Sequence, residues 1–83
     1  MPKVVSVKPL DQFKLELAFE SGERRIFDVT PYLDSGIFVE LKDPAYFRSV
    51  QVAFGTVTWP NEQDFSPDTL WLESKPVAGA EAA

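Results

Sequence analysis

Phe13-Lys14-Leu15-Glu16-Leu17-Ala18-Phe19, then Glu20-Ser21-Gly22, then Glu23-Arg24-Arg25-Ile26-Phe27-Asp28-Val29, sets the architecture of the chain. In the first segment Phe13, Leu15, Leu17 and Phe19 recur at every second position, the period of a strand with one buried face. The glycine marks a reversal, and the length of its loop fixes a register. A two-residue Ser21-Gly22 loop would put Arg24 and Asp28 on the face of Phe19 and Leu15. A three-residue loop, Glu20-Ser21-Gly22, with Gly22 left-handed and bulged, pairs Phe19 with Glu23 and Leu15 with Phe27 instead. Val29 then lies opposite Phe13, and only Arg25 intrudes on the apolar face, near Leu17. A one-residue slip exchanges the two faces, so the second register is expected.

Working outward, Val4-Val5-Ser6-Val7 is β-branched and predicts a first strand over about 3–8, ended by Pro9 and a turn at Leu10-Asp11-Gln12. The N-terminal half is thus a meander over about 3–8, 13–19 and 23–29. Beyond it, Thr30-Pro31 reads as an N-cap with a first-turn proline, a helix over 30–35 that Gly36 stops. Ile37–Leu41 fits a helical turn or extended chain. Asp43-Pro44 and Ser66-Pro67 repeat the start signal and predict helices over 43–48 and 67–73. Leu33, Phe38, Leu41 and Phe47 must pack to hold such short pieces, because isolated turns are unstable. A hairpin over 50–54 and 57–59 turns at Gly55-Thr56, which pairs Phe54 with Val57 and Val52 with Trp59. Val50, Val52, Phe54, Val57 and Trp59 then share a face. The expected fold is α+β, a mainly antiparallel sheet with short helices covering one face. One domain over 1–75 is expected, followed by a disordered tail at 76–83.

Composition narrows the function classes. Hydrophobic residues make up 45% of the 83 positions and eleven are aromatic, as a packed globule requires. The net charge is −5, and residues 31–83 carry all of it. An acidic chain repels phosphate backbones, so no direct nucleic-acid binding is expected, whereas a basic protein partner is easier to approach. With no cysteine and no histidine there is no thiolate nucleophile, no zinc site of the usual kind and no imidazole base. No signal peptide and no membrane-spanning run are visible, which suggests a cytoplasmic protein.

The polar run Trp59-Pro60-Asn61-Glu62-Gln63-Asp64-Phe65-Ser66-Pro67-Asp68 holds most of the candidate site residues. Glu62, Asp64 and Asp68 are a carboxylate cluster that a hard cation or general acid–base chemistry would use. The structural reading, favoured here, has Asp64 bonding loop amides and Asp68 facing the dipole of the helix start. Neither a metal nor a cofactor is therefore expected. Trp59 and Trp71 are the residue type of interface anchors. Alternation with Val52 and Val57 assigns Trp59 to the core, packed on Phe54 or on Trp71, while Trp71 fits either role. Asn61 after Trp-Pro is a turn-former before it is a ligand contact. Asp28, beside Thr30-Pro31, stabilises a helix start more plausibly than it acts as a catalyst.

One pattern spans nearly all of this. Leu15-x-Leu17-x-Phe19-x-x-Gly22-Glu23-x-Arg25-x-Phe27-Asp28-Val29, then Phe38-x-x-Leu41 and Phe47, then Gly55-x-Val57-x-Trp59-Pro60-Asn61-x-x-Asp64-x-x-Pro67-Asp68-x-Leu70 resembles the small bacterial family catalogued as domain of unknown function 2442. Members usually carry a glycine or small residue after the asparagine, where this chain has Glu62-Gln63. The resemblance implies an α+β fold without an established activity. It also implies a neighbouring gene for another small protein, as in a toxin–antitoxin pair. Some members are fused to a helix-turn-helix segment, which this chain lacks. The expectation is a non-enzymatic binding or regulatory module for another small protein, reached through an exposed strand edge. The alternative is a small enzyme or ligand-binder using the Asn61–Asp68 loop, with a concave pocket beside Asp64. Homo-oligomerisation through a sheet edge is a third expectation, compatible with the first.

Overall fold

The three-residue loop forms, and with it the expected register. A computed structural model describes residues 2–77. Strand β1 (Val4–Leu10), β2 (Lys14–Phe19) and β3 (Arg24–Asp28) make an antiparallel meander. Leu15 pairs with Phe27 and Leu17 with Arg25, while the Phe19 N–H donates to Glu23 O at 2.9 Å. Gly22 sits at φ +94°, the left-handed conformation the loop demands. The Val29 N–H donates to Phe13 O at 2.9 Å, as the pairing of those two residues requires.

Strand β1 runs further than expected. Pro9 pairs with Leu15 inside the strand, because β1 lies at one end of the sheet order and its proline N needs no partner there. A bulge between Val4 and Ser6 leaves Val5 extra and exposed, so that Val4 and Val7 both turn inward. The following turn comprises Asp11, Gln12 and Phe13, with Gln12 and Phe13 at φ +64° and +60°. Phe13 is thus in the turn, and its ring meets Phe47 edge-on at 5.3 Å.

After the meander, 3-10 helices occupy Thr30–Tyr32 and Gly36–Lys42, then comes helix α1 (Pro44–Phe47). The Thr30 hydroxyl makes no cap bond; the Asp28 carboxylate takes that role by accepting the Thr30 N–H at 2.9 Å. Gly36, at φ +49°, interrupts the helical run but does not end it, since it is the first residue of the next piece. Asp43 caps α1 by accepting the Ala45 N–H. Leu33, Leu41 and Phe47 are buried and Phe38 packs against them.

The second hairpin, β4 (Gln51–Ala53) with β5 (Thr56–Thr58), forms its own two-stranded sheet and corrects the expected turn. Val52 pairs with Val57 and Ala53 with Thr56, so Phe54-Gly55 is the two-residue loop, at φ +55° and +76°. A type I′ turn needs positive φ at both positions, and the chain places glycine second rather than first. Val50, Val52, Val57 and Trp59 keep the common inward face. Phe54 leaves it and is 102% exposed.

Helix α2 (Pro67–Glu73) starts at Ser66, whose hydroxyl accepts the Thr69 N–H at 3.1 Å. The chain then adds a short strand β6 (Lys75–Pro76), which completes a sheet of order β1-β2-β3-β6. Pro76 pairs with Arg25, and the Val77 N–H donates to Arg24 O at 3.0 Å. Pro76 and Val77, expected in the tail, therefore belong to the sheet; the remainder of that expected disordered segment lies outside the described residues. Among the described residues no helix is long and apolar enough to cross a membrane.

The core fills the space between sheet, hairpin and helices. Its centre is Phe65, whose ring contacts Phe27 and Tyr32 at 5.0 Å, Phe38 at 4.8 Å and Trp59 at 6.1 Å. Offset and edge-on pairs of this kind add about 0.5–1.5 kcal/mol each beyond the area they bury.

Candidate functional site

The Trp59–Gln63 reversal is built on the plan of the Phe19–Glu23 loop. The Trp59 N–H donates to Gln63 O at 3.0 Å and the Glu62 N–H donates to Trp59 O at 2.9 Å. The earlier loop has the same two bonds, from Phe19 to Glu23 O and from Gly22 to Phe19 O. The residue at the left-handed position is Gly22 in one and Glu62, φ +73°, in the other. Thr58 then bridges Asp64 across the strand, which makes the loop a third hairpin.

That geometry turns Gln63 inward. It is 2% exposed, as buried as the tryptophan it pairs with. Its carbonyl oxygen accepts the Tyr46 hydroxyl at 2.6 Å, and its amide donates to Ile37 O at 3.1 Å and to Glu40 Oε1 at 3.0 Å. Asn61 joins from outside: Nδ2 donates to both Glu40 oxygens, at 2.9 and 2.7 Å, and its N–H donates to the Tyr46 hydroxyl at 2.8 Å. Glu40, Tyr46, Asn61 and Gln63 thus form one closed polar network that ties the loop to α1 and to the preceding 3-10 helix. A buried amide in a satisfied network fixes geometry; the same amide unpaired would be destabilising.

The predicted site residues separate. Trp59 is core, 2% exposed, with Nε1–H donating to Phe47 O at 2.9 Å. It packs on Phe47 and Phe65, not on Phe54 or Trp71. Asp64 is exposed and takes part through its backbone bridge to Thr58. Asp68 is exposed in the first turn of α2. Among the described residues no group of three or more Asp, Glu, His or Cys side chains could hold a metal ion, so the Glu62–Asp64–Asp68 cluster does not assemble.

Trp71 is half-buried. It stands edge-on to Phe19 at 5.0 Å, and the Arg25 guanidinium lies over its ring at 4.7 Å. Arg25 also donates through Nε to Ser74 Oγ and through Nη2 to Ser74 O, each at 2.7 Å. The charge that intrudes on the apolar face near Leu17 is therefore the clamp holding the end of α2 to the sheet.

Residues 4–76 match the family model described as Protein of unknown function (DUF2442). The chain belongs to this family. No curated protein and no solved structure matches it. In this DUF2442 domain the Trp-Pro-Asn-x-x-Asp segment is the third hairpin, and its left-handed position is where a glycine would be easiest to accommodate.

Two depressions of the DUF2442 domain lie away from this loop. A groove of about 480 Å³ is lined by Pro2, Lys3, Phe19, Glu20, Ser21 and Trp71. A second, more open depression of about 700 Å³ shares Pro2, Lys3 and Glu20 with it and reaches Phe54, Gly55 and Pro67. Neither is lined by Asn61, Asp64 or Asp68. The sequence reading missed Glu40, Tyr46 and Gln63 as loop partners and Phe54 as a surface residue. Alternation across Gln63-Asp64-Phe65, in-out-in, is the signal that would have found Gln63.

Proposed function

We propose that this protein is a non-enzymatic binding module that docks another small protein, in the manner of the antitoxin half of a bacterial pair. One observation carries the reading: an aromatic side chain, Phe54, stands fully exposed at a hairpin tip and lines a depression with Pro2, Lys3, Glu20 and Pro67. Large exposed aromatics beside apolar concavities are the anatomy of interface hot spots. The polar side chains of the Asn61–Asp68 loop are engaged in holding that loop or point into solvent, which leaves chemistry without a constellation. The net charge of −5 favours a basic partner.

Co-expression with the product of the adjacent gene, followed by affinity capture of either protein, tests this. A stoichiometric complex that Phe54→Asn weakens at least tenfold is expected. Absence of any complex at micromolar concentration, or a complex indifferent to Phe54, would overturn it.

A further inference from the structure

We propose that the outer face of the large sheet is a second docking surface, one that takes an acidic, partly apolar segment of a partner protein. Side chains alternate across a sheet, so one set of positions packs on the core and the other faces away. Leu15, Leu17 and Phe27 take the core side. Their neighbours Lys14, Glu16, Arg24 and Asp28 take the other. The pairings of Lys8 with Glu16 and of Lys75 with Ile26 add two more lysines to it. None of these residues lines the depression at Phe54, so the two surfaces are distinct.

Charge on this face runs against that of the molecule. It carries four cations and two carboxylates, whereas the rest of the chain carries four cations and eleven carboxylates. Both carboxylates of the face are engaged: Glu16 pairs with Arg24, and Asp28 accepts the Thr30 N–H at 2.9 Å. Lys3, Arg24, Arg25, Lys42 and Arg48 each form an ion pair. Among the described residues the basic side chains that form none are Lys8, Lys14 and Lys75, although Lys14 lies opposite Asp28 in the ladder. All three stand on this one face. In a chain with so many acidic groups to spare, cations left together without partners mark a place where carboxylates can be received from outside.

The layout favours a short protein segment over a phosphate backbone. Strands lie about 4.8 Å apart, so Lys8 on β1 and Lys75 on β6, at opposite ends of the sheet order, stand about 14 Å from each other. Half-buried Ile26 is in the row between them. Two carboxylates on a short segment can reach the lysines while an apolar residue between them covers Ile26. At physiological ionic strength the field of a charge decays over about 8 Å. A segment confined to the face therefore meets its local positive charge. A DNA duplex or a lipid surface extends beyond the face and meets the acidic remainder, which repels phosphate.

NMR titration of the isotope-labelled full chain with a synthetic peptide of alternating glutamate and leucine, up to about 1 mM, tests this at about 50 and 300 mM salt. Amide shifts concentrated at Lys8, Lys14, Ile26 and Lys75 are expected, with affinity falling at least fivefold at the higher salt. Lys8→Glu combined with Lys75→Glu should weaken binding at least tenfold, and glutamine at both positions, a milder change to the sheet, at least threefold. Lys42→Glu combined with Arg48→Glu reaches the same net charge from elsewhere on the surface and should weaken it less than threefold. Absence of binding at about 1 mM, shifts centred on another surface, or equal weakening by the two charge-reversed pairs overturns the proposal. So does a short DNA duplex or an anionic phosphatidylserine vesicle that binds the face more tightly than the peptide.

Discussion

Replacing Glu62 by glycine should make the protein more stable, although it deletes a charged side chain and adds backbone freedom. Glu62 holds φ +73° at the position that Gly22 fills in the equivalent loop. A residue with a Cβ loses about 1–2 kcal/mol in that left-handed region. Glycine returns part of the gain, because it loses roughly 0.5–1 kcal/mol more backbone entropy on folding. The net is a stabilisation of about 0.5–1 kcal/mol, since Glu62 is exposed and little packing changes. For a domain of this length, 1 kcal/mol corresponds to about 4–8 °C in Tm. The matched control is Gly22→Ala. An added Cβ there meets nothing within 4 Å, so the strain of φ +94° acts alone. It should destabilise by about 1 kcal/mol. Urea unfolding followed by tryptophan fluorescence measures both, with an unchanged m-value showing that only stability has moved. If Glu62→Gly lowers the midpoint, or if both variants shift it in the same direction, the shared-loop argument fails.

Three further outcomes follow from the same geometry. Gln63→Leu should cost about 2 kcal/mol or more by leaving Ile37 O and the Tyr46 hydroxyl short of partners, while the exposed Asn61→Ala costs about 0.5–1 kcal/mol. Calorimetry of the double variant should show less than additive loss, because both amides bond Glu40. Arg25→Met should cost about 2–3 kcal/mol, from two hydrogen bonds to Ser74 and the stack on Trp71, and should loosen the end of α2. A loss under about 1 kcal/mol on thermal unfolding would remove Arg25 from the role of clamp. Tyr32 donates to Glu73, and this bond, with some burial and the Glu73 charge, raises its pKa above the ordinary phenol value. The native state then keeps its proton to higher pH than the unfolded chain. The contribution is full below about pH 10 and is lost as pH rises through the raised value. Urea midpoints above pH 10 should therefore fall more steeply for wild type than for Tyr32→Phe, and parallel curves would contradict the linkage.

How far the sequence reached depends on whether the signal was local. The Phe13–Val29 pairing was legible because one register alone buries Leu15, Leu17, Phe19 and Phe27 together. Helix starts at Asp43-Pro44 and Ser66-Pro67 were legible because a cap and a first-turn proline act on their own neighbours. The Phe54 turn was misplaced because glycine suits either central position of a primed hairpin, and the choice rests on the Val4 contact with Gly55 from a distant strand. Lys75–Pro76 gave no periodic signal, being two residues paired only with Ile26 and Arg25. In the candidate site, Trp59 was placed by alternation, whereas Asn61, read as a turn-former, instead bonds the Glu40 carboxylate across the fold. The network around Gln63 was invisible because Glu40 and Tyr46 reach it only after the chain has folded back.

The two outer strands of the large sheet have a consequence for crowded solution. In an antiparallel ladder, neighbouring positions point their amides alternately to the left and right. Leu15 and Leu17 direct theirs toward β3, so Pro9, opposite Leu15, directs its nitrogen outward. By the same alternation Pro76, opposite Arg25, faces away from β3. Both rims therefore present a ring nitrogen where a visiting backbone would require a donor, and Lys75 adds a charge beside one of them. Fibrillar pairing of one molecule's sheet edge with the next is disfavoured at both ends.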